Sequence, residues 1–219
     1  MPDKAPMREL EFSRYDSEVS SYKAKTFREQ LQTRRSVRDF SPEPIPQGAL
    51  EDCIQAAASA PSGANKQPWT FVLVTEAELK KKIRQAAEEE ERAFYGGRAP
   101  QRWLEDLEPF GTGPEKPFLE TAPALIVVFA QNSGNEPESR HYYVQESVGI
   151  ATGILLTALH FSGFAFLTHT PSPMRFLSEL LERPRNERPY LLIPVGLPAA
   201  GCLVPDLQRK SLDEVLVRR

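Results

Sequence analysis

The 219 residues of this chain suffice for one substantial hydrophobic core, and a single domain is the expectation. Its 40% hydrophobic and 26% charged residues are typical of an ordinary soluble globular protein. The formal net charge of −3 gives no reason to expect nucleic acid or an anionic membrane as a partner. The two cysteines, Cys53 and Cys202, are too few for a disulfide scaffold and lack the spacing of metal ligands, so no metal is predicted.

The chain begins with about 25 residues that lack the apolar core of a signal peptide and are expected to form an N-terminal extension. Capping boxes, apolar periodicity and turn residues then predict helices at about 26–33, 47–59, 75–95, 102–107, 142–161 and 174–181. Strands rich in β-branched and aromatic residues are predicted at 69–74, 124–130, 164–168 and 190–195. Ser211–Glu214 is a further capping box or a turn. Helices that separate four short apolar strands favour an α+β or α/β sheet covered by helices.

The segment from Ser147 to Pro173 carries no Asp, Glu, Lys or Arg and is long enough on paper to span a bilayer. Ser162-Gly163 interrupts it, however, and threonines and His160 add polarity. We expect the helix to be covered by a large core or by an oligomer interface, and we expect no membrane as a partner.

Residues 96–123 are rich in glycine and proline and contain only a short helical pattern at about 102–107. A long irregular connection in a compact domain is often functional, for example as an active-site lid. We expect the substrate lid to span about residues 92–120.

Several common kinds of site are absent from the sequence. It contains no GxGxxG after a strand, no P-loop and no GxSxG elbow, so dinucleotide-fold, NTPase and α/β-hydrolase functions lack their sites. The histidines at 141, 160 and 169 form no metal-ligand pair with carboxylates at helical spacing.

A basic motif, Arg34-Arg35-Ser36-Val37-Arg38, directly follows a predicted helix. Three guanidinium groups and a hydroxyl within five residues suit a phosphate monoester, because arginine forms bidentate, permanently charged hydrogen bonds to phosphate oxygens. A solvated basic patch or a nucleic-acid contact would produce the same run.

A second motif, APSGANKQPW at residues 60–69, connects a helix to a strand. Its small residues allow the backbone to approach a flat ligand closely, and its prolines stiffen the loop. An ordinary helix-to-strand turn is the alternative.

These two motifs, in this order, together with the late Thr-Pro and VPDLQRK at 204–210, resemble the FMN-binding pattern of the nitroreductase superfamily. The resemblance extends from about Arg34 to Val217. It implies an α+β, nitroreductase-like fold with a central, mainly antiparallel sheet covered by helices. It further implies a homodimer with exchanged C-terminal arms (about residues 200–219) and an FMN at each subunit interface.

The resemblance also implies which residues hold the FMN. Arg34, Arg35, Ser36 and Arg38 would contact it, chiefly at the phosphate, and Arg209 would return to the phosphate from the C-terminal arm. The remaining expected cofactor contacts are Pro61, Ser62, Gly63, Thr168, His169 and Thr170. The Thr170 hydroxyl, the expected catalytic group, would lie near N5 of the flavin and favour two one-electron steps over a hydride transfer.

The charged helix and the expected lid point to one branch of this superfamily. Glu91 and Tyr95 share a helix face at i and i+4, and Lys116 follows downstream. A solvated acidic face and a surface lysine are the alternative. Together with Trp103 and Thr121-Ala-Pro123, these residues look like the substrate lid of the iodotyrosine deiodinases, in which Glu, Tyr and Lys hold the ammonium and carboxylate of the amino acid. Ala64 would contact the phenolate through its backbone.

The implied reaction is reductive removal of iodide from mono- or diiodotyrosine. The electrons would come from NAD(P)H directly or through a reductase, and a cytoplasmic location without the N-terminal anchor of the animal enzymes is expected. A general NAD(P)H-dependent nitroreductase or quinone reductase is the first alternative, and a non-catalytic flavin-binding protein is the second.

Overall fold

The computed structural model describes residues 5–134 and 139–219, so the first four residues of the expected N-terminal extension lie outside it. The chain forms two compact units, Met1–Arg34 and Arg35–Arg219. The first unit contains helix α1 (Ser17–Gln32), which begins where the Asp16 carboxylate accepts a hydrogen bond from the Val19 amide at 2.8 Å. The predicted start at Thr26 is wrong, because the Thr-x-x-Glu pattern there falls inside a helix that Asp16 has already capped.

The second unit is built on a sheet in the order β1-β2-β4-β3, in which every strand pair is antiparallel. Its strands are β1 (Trp69–Val74), β2 (Ala124–Gln131), β3 (Ala165–Phe166) and β4 (Glu187–Gly196). The predicted α+β class with a mainly antiparallel sheet is confirmed. The strand predicted at 164–168 is longer than the observed β3, which pairs with β4 only at Ala165 and Phe166.

Helices cover both faces of this sheet, since the central strand β2 is buried from Ala124 to Ala130. Its side chains alternate between two cores: Ile126 and Val128 pack with α2 and α6, whereas Leu125 and Val127 pack with α3 and α7. The helices of this unit are α2 (Gln47–Ala58), α3 (Ala77–Ala93), α4 (Gln101–Leu107), α5 (Phe118–Thr121), α6 (Val144–Phe161), α7 (Arg175–Leu180) and α8 (Leu212–Val215). The Ser211 capping box predicted for α8 is present with both of its hydrogen bonds.

The connection between α3 and β2 is more regular than its glycine and proline content indicated. A π-helical turn at Phe94–Arg98 continues α3, and α4, a 3₁₀ turn at Glu108–Phe110 and α5 follow. Gly97 separates the first two pieces with φ of 132°, a conformation that favours glycine. The segment is therefore a chain of short helices rather than an irregular loop.

Helix α6 is long and apolar enough to cross a membrane by length and composition alone. Core helices of globular proteins pass the same test, and one face of α6, including Ala151, Leu155 and Leu159, is buried against α2 and the sheet. The opposite face is open in the single chain, where Ile150 is 47% and Phe161 65% exposed.

Candidate active site

A cavity of about 440 Å³ lies between the segment 92–120 and the residues that follow β3. Its wall combines an acid, two cations, three threonines and several aromatic rings. The lining residues are Arg38, Glu91, Phe94, Tyr95, Trp103, Leu107, Thr112, Lys116, Phe118, Leu167, Thr168, His169, Thr170, Ser172 and Met174. The volume and the mixture of apolar walls with a few polar groups suit a small organic ligand.

Glu91 and Lys116 form a buried ion pair in this cavity. Glu91 continues the buried face of α3 that contains Ile83 and Ala87, so the helix itself directs the carboxylate inward. Its Oε2 lies 3.1 Å from the Lys116 Nζ, and the two residues are only 9% and 6% exposed. The Lys116 ammonium also donates to the Gly113 carbonyl. Removing two such charges from water is costly, so the pair indicates recognition of a charged ligand more than a contribution to stability.

Lys116 is held from outside the cavity by α3. Its backbone amide donates to Glu88 Oε1 at 2.7 Å. Burial raises the pKa of Glu88, but the hydrogen bonds from Arg84 and from this amide together lower it below its ordinary value. Glu88 and Glu91 lie three positions apart on the same helix, so α3 fixes both ends of Lys116.

The π-helical turn after α3 places aromatic side chains over the cavity. The Tyr95 hydroxyl lies 2.8 Å from Thr112 Oγ1, and the Lys116 Nζ lies 5.4 Å from the Tyr95 ring centre. Phe94 contacts the edges of both Tyr95 and Trp103, with ring centres 5.3 and 5.1 Å apart. Phe94, Tyr95 and Trp103 thus cover one side of the cavity and are called the aromatic roof below.

Arg98 joins this roof to the opposite wall. Its guanidinium lies 2.8 Å from Glu90 Oε2 and also donates to the Ser172 carbonyl, next to the lining residues Thr168–Thr170. The end of α3 is thereby connected to the loop after β3.

His169 is fixed by its backbone and is neutral. It exchanges hydrogen bonds of 2.8 and 3.0 Å with Leu192 of β4, and its ring meets Phe118 edge to face at 5.6 Å. Burial, reinforced by the positive charges of Lys116 and Arg38, lowers its pKa to about 3. Nε2 has no hydrogen-bond partner among the described residues: Glu91 Oε1 is 3.8 Å away, which is too far.

The basic motif lies against β3, which explains how it reaches the cavity. The Val37 amide donates to the Phe166 carbonyl at 3.1 Å, and Arg38 lines the cavity two positions from the bridge that Ser36 forms with Phe166. Arg35 donates to the Pro205 carbonyl, so the motif also contacts the segment that leads to Arg209.

The second motif lies elsewhere. Residues 61–64 are not among those that line the cavity of this chain, although Pro61, Ser62 and Gly63 were expected at the cofactor and Ala64 at the substrate. Ala64, Asn65 and Gln67 all have positive φ, and the Ser62 hydroxyl accepts a hydrogen bond from the Gln67 amide at 2.8 Å. A Cβ added to Gly63 would lie 3.1 Å from the Tyr142 ring, so a larger residue here would have to displace that ring slightly.

The structure thus brings part of the predicted site together. Arg38, Thr168, His169, Thr170, Glu91, Tyr95 and Lys116 share the cavity. The predicted residues that do not line it are Arg34, Arg35, Ser36, Pro61, Ser62, Gly63, Ala64 and Arg209. Sequence reasoning missed Thr112, Arg98 and Phe118, for which the only signal was their position in a glycine- and proline-rich segment.

The residues present fit FMN. A phosphate needs cationic donors: Arg38 lines the cavity, and Arg35 belongs to the same basic segment beside β3. The Thr168 and Thr170 hydroxyls are also in the lining. The buried Nε2 of His169 shows in addition that this wall retains hydrogen-bonding capacity that no described protein group uses.

Known proteins resemble this chain over most of its length. Residues 31–197 match the nitroreductase family. The chain is 53% identical to an iodotyrosine deiodinase of Haliscomenobacter hydrossis over 94% of both chains. It is 44% identical to iodotyrosine deiodinase 1 of Rattus norvegicus over 94% of this chain and 73% of that one. A crystal structure of oxidized iodotyrosine deiodinase bound to FMN and 3-iodo-L-tyrosine superposes with a TM-score of 0.78 and 33% identity, covering 88% of this chain and 97% of the other.

Proposed function

Because this chain belongs to the nitroreductase family, we propose that it is an FMN-dependent oxidoreductase that removes iodide reductively from iodotyrosine. Iodotyrosine, two electrons and one proton give tyrosine and iodide, so a C–I bond is broken and a C–H bond is formed. The observation that carries the proposal is the Glu91–Lys116 ion pair, buried at 3.1 Å inside the cavity.

A free amino acid brings an ammonium and a carboxylate close together, and the ion pair offers one partner to each. We propose that Glu91 accepts the ammonium and Lys116 pairs with the carboxylate, with the Tyr95 hydroxyl as a further contact. Both protein charges then exchange one buried partner for another, and neither is left unpaired. The aromatic roof excludes water and aligns the halophenol ring.

For the cofactor, we propose that Arg34, Arg35, Ser36, Arg38 and Arg209 hold the phosphate end of FMN. Thr168 and Thr170 would donate hydrogen bonds to its ring, with the Thr170 hydroxyl near N5. The bound flavin, once reduced, supplies the electrons for the reaction.

A second copy of the chain supplies what the single chain lacks at this site. We propose a homodimer in which α6 packs on its counterpart through the open face that carries Ile150 and Phe161. The 61–64 loop of one subunit would then reach the cofactor of the other, and Ala64 would contact the phenolate through its backbone. The loop's exposed, left-handed backbone at Ala64 and its absence from the cavity of its own chain support this arrangement.

Two other functions were left open by the sequence. A general nitroreductase or quinone reductase has no use for a buried acid–lysine pair in the cavity, and a non-catalytic flavin protein has no use for an aromatic roof over it. The electron donor, proposed to be NAD(P)H directly or through a reductase, and the proposed cytoplasmic location remain predictions.

Binding and turnover of 3-iodo-L-tyrosine test the proposal. The FMN-loaded protein, reduced with dithionite, should release iodide, and iodotyrosine should quench the flavin fluorescence. Glu91→Gln should raise the Kd for iodotyrosine roughly 10- to 100-fold, since a charge-assisted hydrogen bond contributes about 1.5–3 kcal/mol. FMN should remain bound.

The matched control is Glu89→Gln, which removes an exposed carboxylate from the same helix and should leave the Kd unchanged. If wild type binds a simple nitroarene as tightly as iodotyrosine, or if the two variants behave alike, the proposed function is wrong.

A further inference from the structure

We infer that His169 is a positioning residue for Glu91: when the substrate carboxylate takes Lys116, the Nε2–H of His169 donates to Glu91 and holds that carboxylate toward the ammonium. This inference rests on the proposed function and deepens it. It gives His169 a role toward the amino-acid end of the ligand, whereas the sequence resemblance implied only contact with the flavin.

The geometry of the ligand-free cavity leads to this assignment. Glu91 uses Oε2 for Lys116, at 3.1 Å, and presents Oε1 to the His169 Nε2 at 3.8 Å. Nε2 is buried and has no hydrogen-bond partner among residues 5–134 and 139–219. A buried polar nitrogen without a partner is costly whether it donates or accepts, so a role after a small rearrangement is the natural explanation. Closing the gap to an ordinary hydrogen bond requires a movement of only about 1 Å.

The rearrangement follows from the exchange of ion pairs. While Lys116 binds Glu91, the two charges hold each other in place. Once Lys116 pairs with the ligand carboxylate, Glu91 loses the contact that fixed its orientation. The ammonium alone can meet the carboxylate from several directions, because a carboxylate has about four lone-pair sites. A second donor at Oε1 restricts these directions to one.

His169 can provide that donor because its ring is held rigidly and uncharged. The two hydrogen bonds to Leu192 fix its backbone, and the Phe118 contact restrains the ring. The groups around the ring are Glu91, Lys116 and Arg38, so a protonated imidazole would place a third cation beside two others. A neutral Nε2–H donates to Glu91 without competing with the ammonium for it.

The test is a double-mutant cycle read by ligand affinity. His169→Leu removes the donor, His169→Gln keeps a side-chain N–H, and each is combined with Glu91→Gln. The Kd for 3-iodo-L-tyrosine is measured by flavin fluorescence quenching. It should rise roughly 10-fold in His169→Leu, the loss expected for a hydrogen bond to a charged group. It should stay within about threefold of wild type in His169→Gln.

Coupling separates positioning from a merely structural effect. On the Glu91→Gln background, His169→Leu should change the Kd by less than about twofold, because the residue acts through the carboxylate. The Kd for 2-iodophenol, which lacks the zwitterion, should respond to His169→Leu much less than the Kd for iodotyrosine.

Equal losses on both backgrounds, or a His169→Gln variant as weak as His169→Leu, would overturn the inference while leaving the proposed function intact. A wild-type protein that binds no iodotyrosine would overturn both.

Discussion

Glu91, Lys116 and His169 lie next to one another in the cavity, and His169 is the neutral member of the three. Glu91 and Lys116 neutralise each other at 3.1 Å, whereas His169 has no such partner and lies near two cations. Its pKa of about 3 therefore has a consequence for the stability of the folded protein as well as for binding.

That consequence is a specific loss of stability in mild acid. Below its ordinary pKa of about 6.5, His169 gains a proton in the unfolded chain, but in the folded protein it does so only near pH 3. The unfolded state binds more protons in this window, so the free energy of unfolding falls as the pH is lowered from about 6.5 to 3. By pH 5 this one group should cost about 2 kcal/mol.

Urea unfolding of FMN-loaded wild type and His169→Gln at pH 7 and pH 5, at one protein concentration, measures this loss. Glutamine does not titrate, so the variant should lose about 2 kcal/mol less between the two pH values than wild type does. If both proteins lose the same amount, the imidazole is not held neutral by the fold.

At this scale the sequence predicted the identity of the charged residues but not their pairing. Glu91 and Tyr95 were placed on one face by helical spacing, and both line the cavity. The contact of Lys116 with Glu91, and that of Tyr95 with Thr112, depend on how the segment between them folds back. No local pattern encodes that path.

At the scale of elements, the helical pieces between α3 and β2 form one wall of the cavity. Phe118 of α5 contacts the His169 ring after β3, and Arg98 connects Glu90 in the last turn of α3 to the Ser172 carbonyl. Gly97 beside it has φ of 132°, so the chain changes direction here and Arg98 fixes the new direction.

Arg98→Ala should therefore loosen this wall and weaken iodotyrosine binding. The ion pair is partly exposed and contributes at most about 1 kcal/mol, and the hydrogen bond to Ser172 adds a similar amount. We expect the Kd for iodotyrosine to rise roughly 5- to 30-fold and trypsin to cut within residues 92–120 faster, while the FMN content stays unchanged.

Arg102→Ala, which removes an exposed arginine from α4, is the control for lost charge and for a lost trypsin site in the same segment. An Arg98→Ala variant with wild-type affinity and wild-type cleavage would show that other contacts hold this wall.

Elements were predictable where one physical signal dominated. Strand β1 and helix α2 appear within one residue of the predicted limits, because apolar strand residues and a terminating proline define them. Helix α1 was misplaced, since its cap at Asp16 has no apolar periodicity behind it: none of its residues is buried. The short helices at 94–110 are stabilised by contacts with each other. The glycines and prolines in this segment predict a loop, so of these helices only the one at about 102–107 was predicted.

At the scale of the whole molecule, helix α6 exposes apolar side chains that the single chain leaves open to solvent. It was expected to be covered on all sides, yet the face that carries Ile150 and Phe161 is open. Exposed apolar side chains on an otherwise charge-poor helix mark an interaction surface. An apolar helix of this length can be predicted from the sequence to be buried. Whether the same chain or a second subunit buries it depends on assembly, which the sequence pattern does not show.

The proposed dimer makes a prediction that links assembly to cofactor binding. Ile150→Arg places a long charged side chain on the open face, where the proposed dimer would have to bury it at a cost of several kcal/mol. The dimer dissociation constant should rise at least about 100-fold, and size-exclusion chromatography at micromolar protein should show a monomer.

That monomer should also lose its FMN, because in the proposed dimer the 61–64 loop of one subunit contacts the cofactor of the other. Gln85→Arg, which adds the same charge to an exposed position of α3, should remain dimeric and yellow. The test therefore measures both the oligomeric state and the FMN content of each variant. A monomeric Ile150→Arg protein that retains FMN would show that each chain holds its cofactor alone and would leave the 61–64 loop without its proposed role.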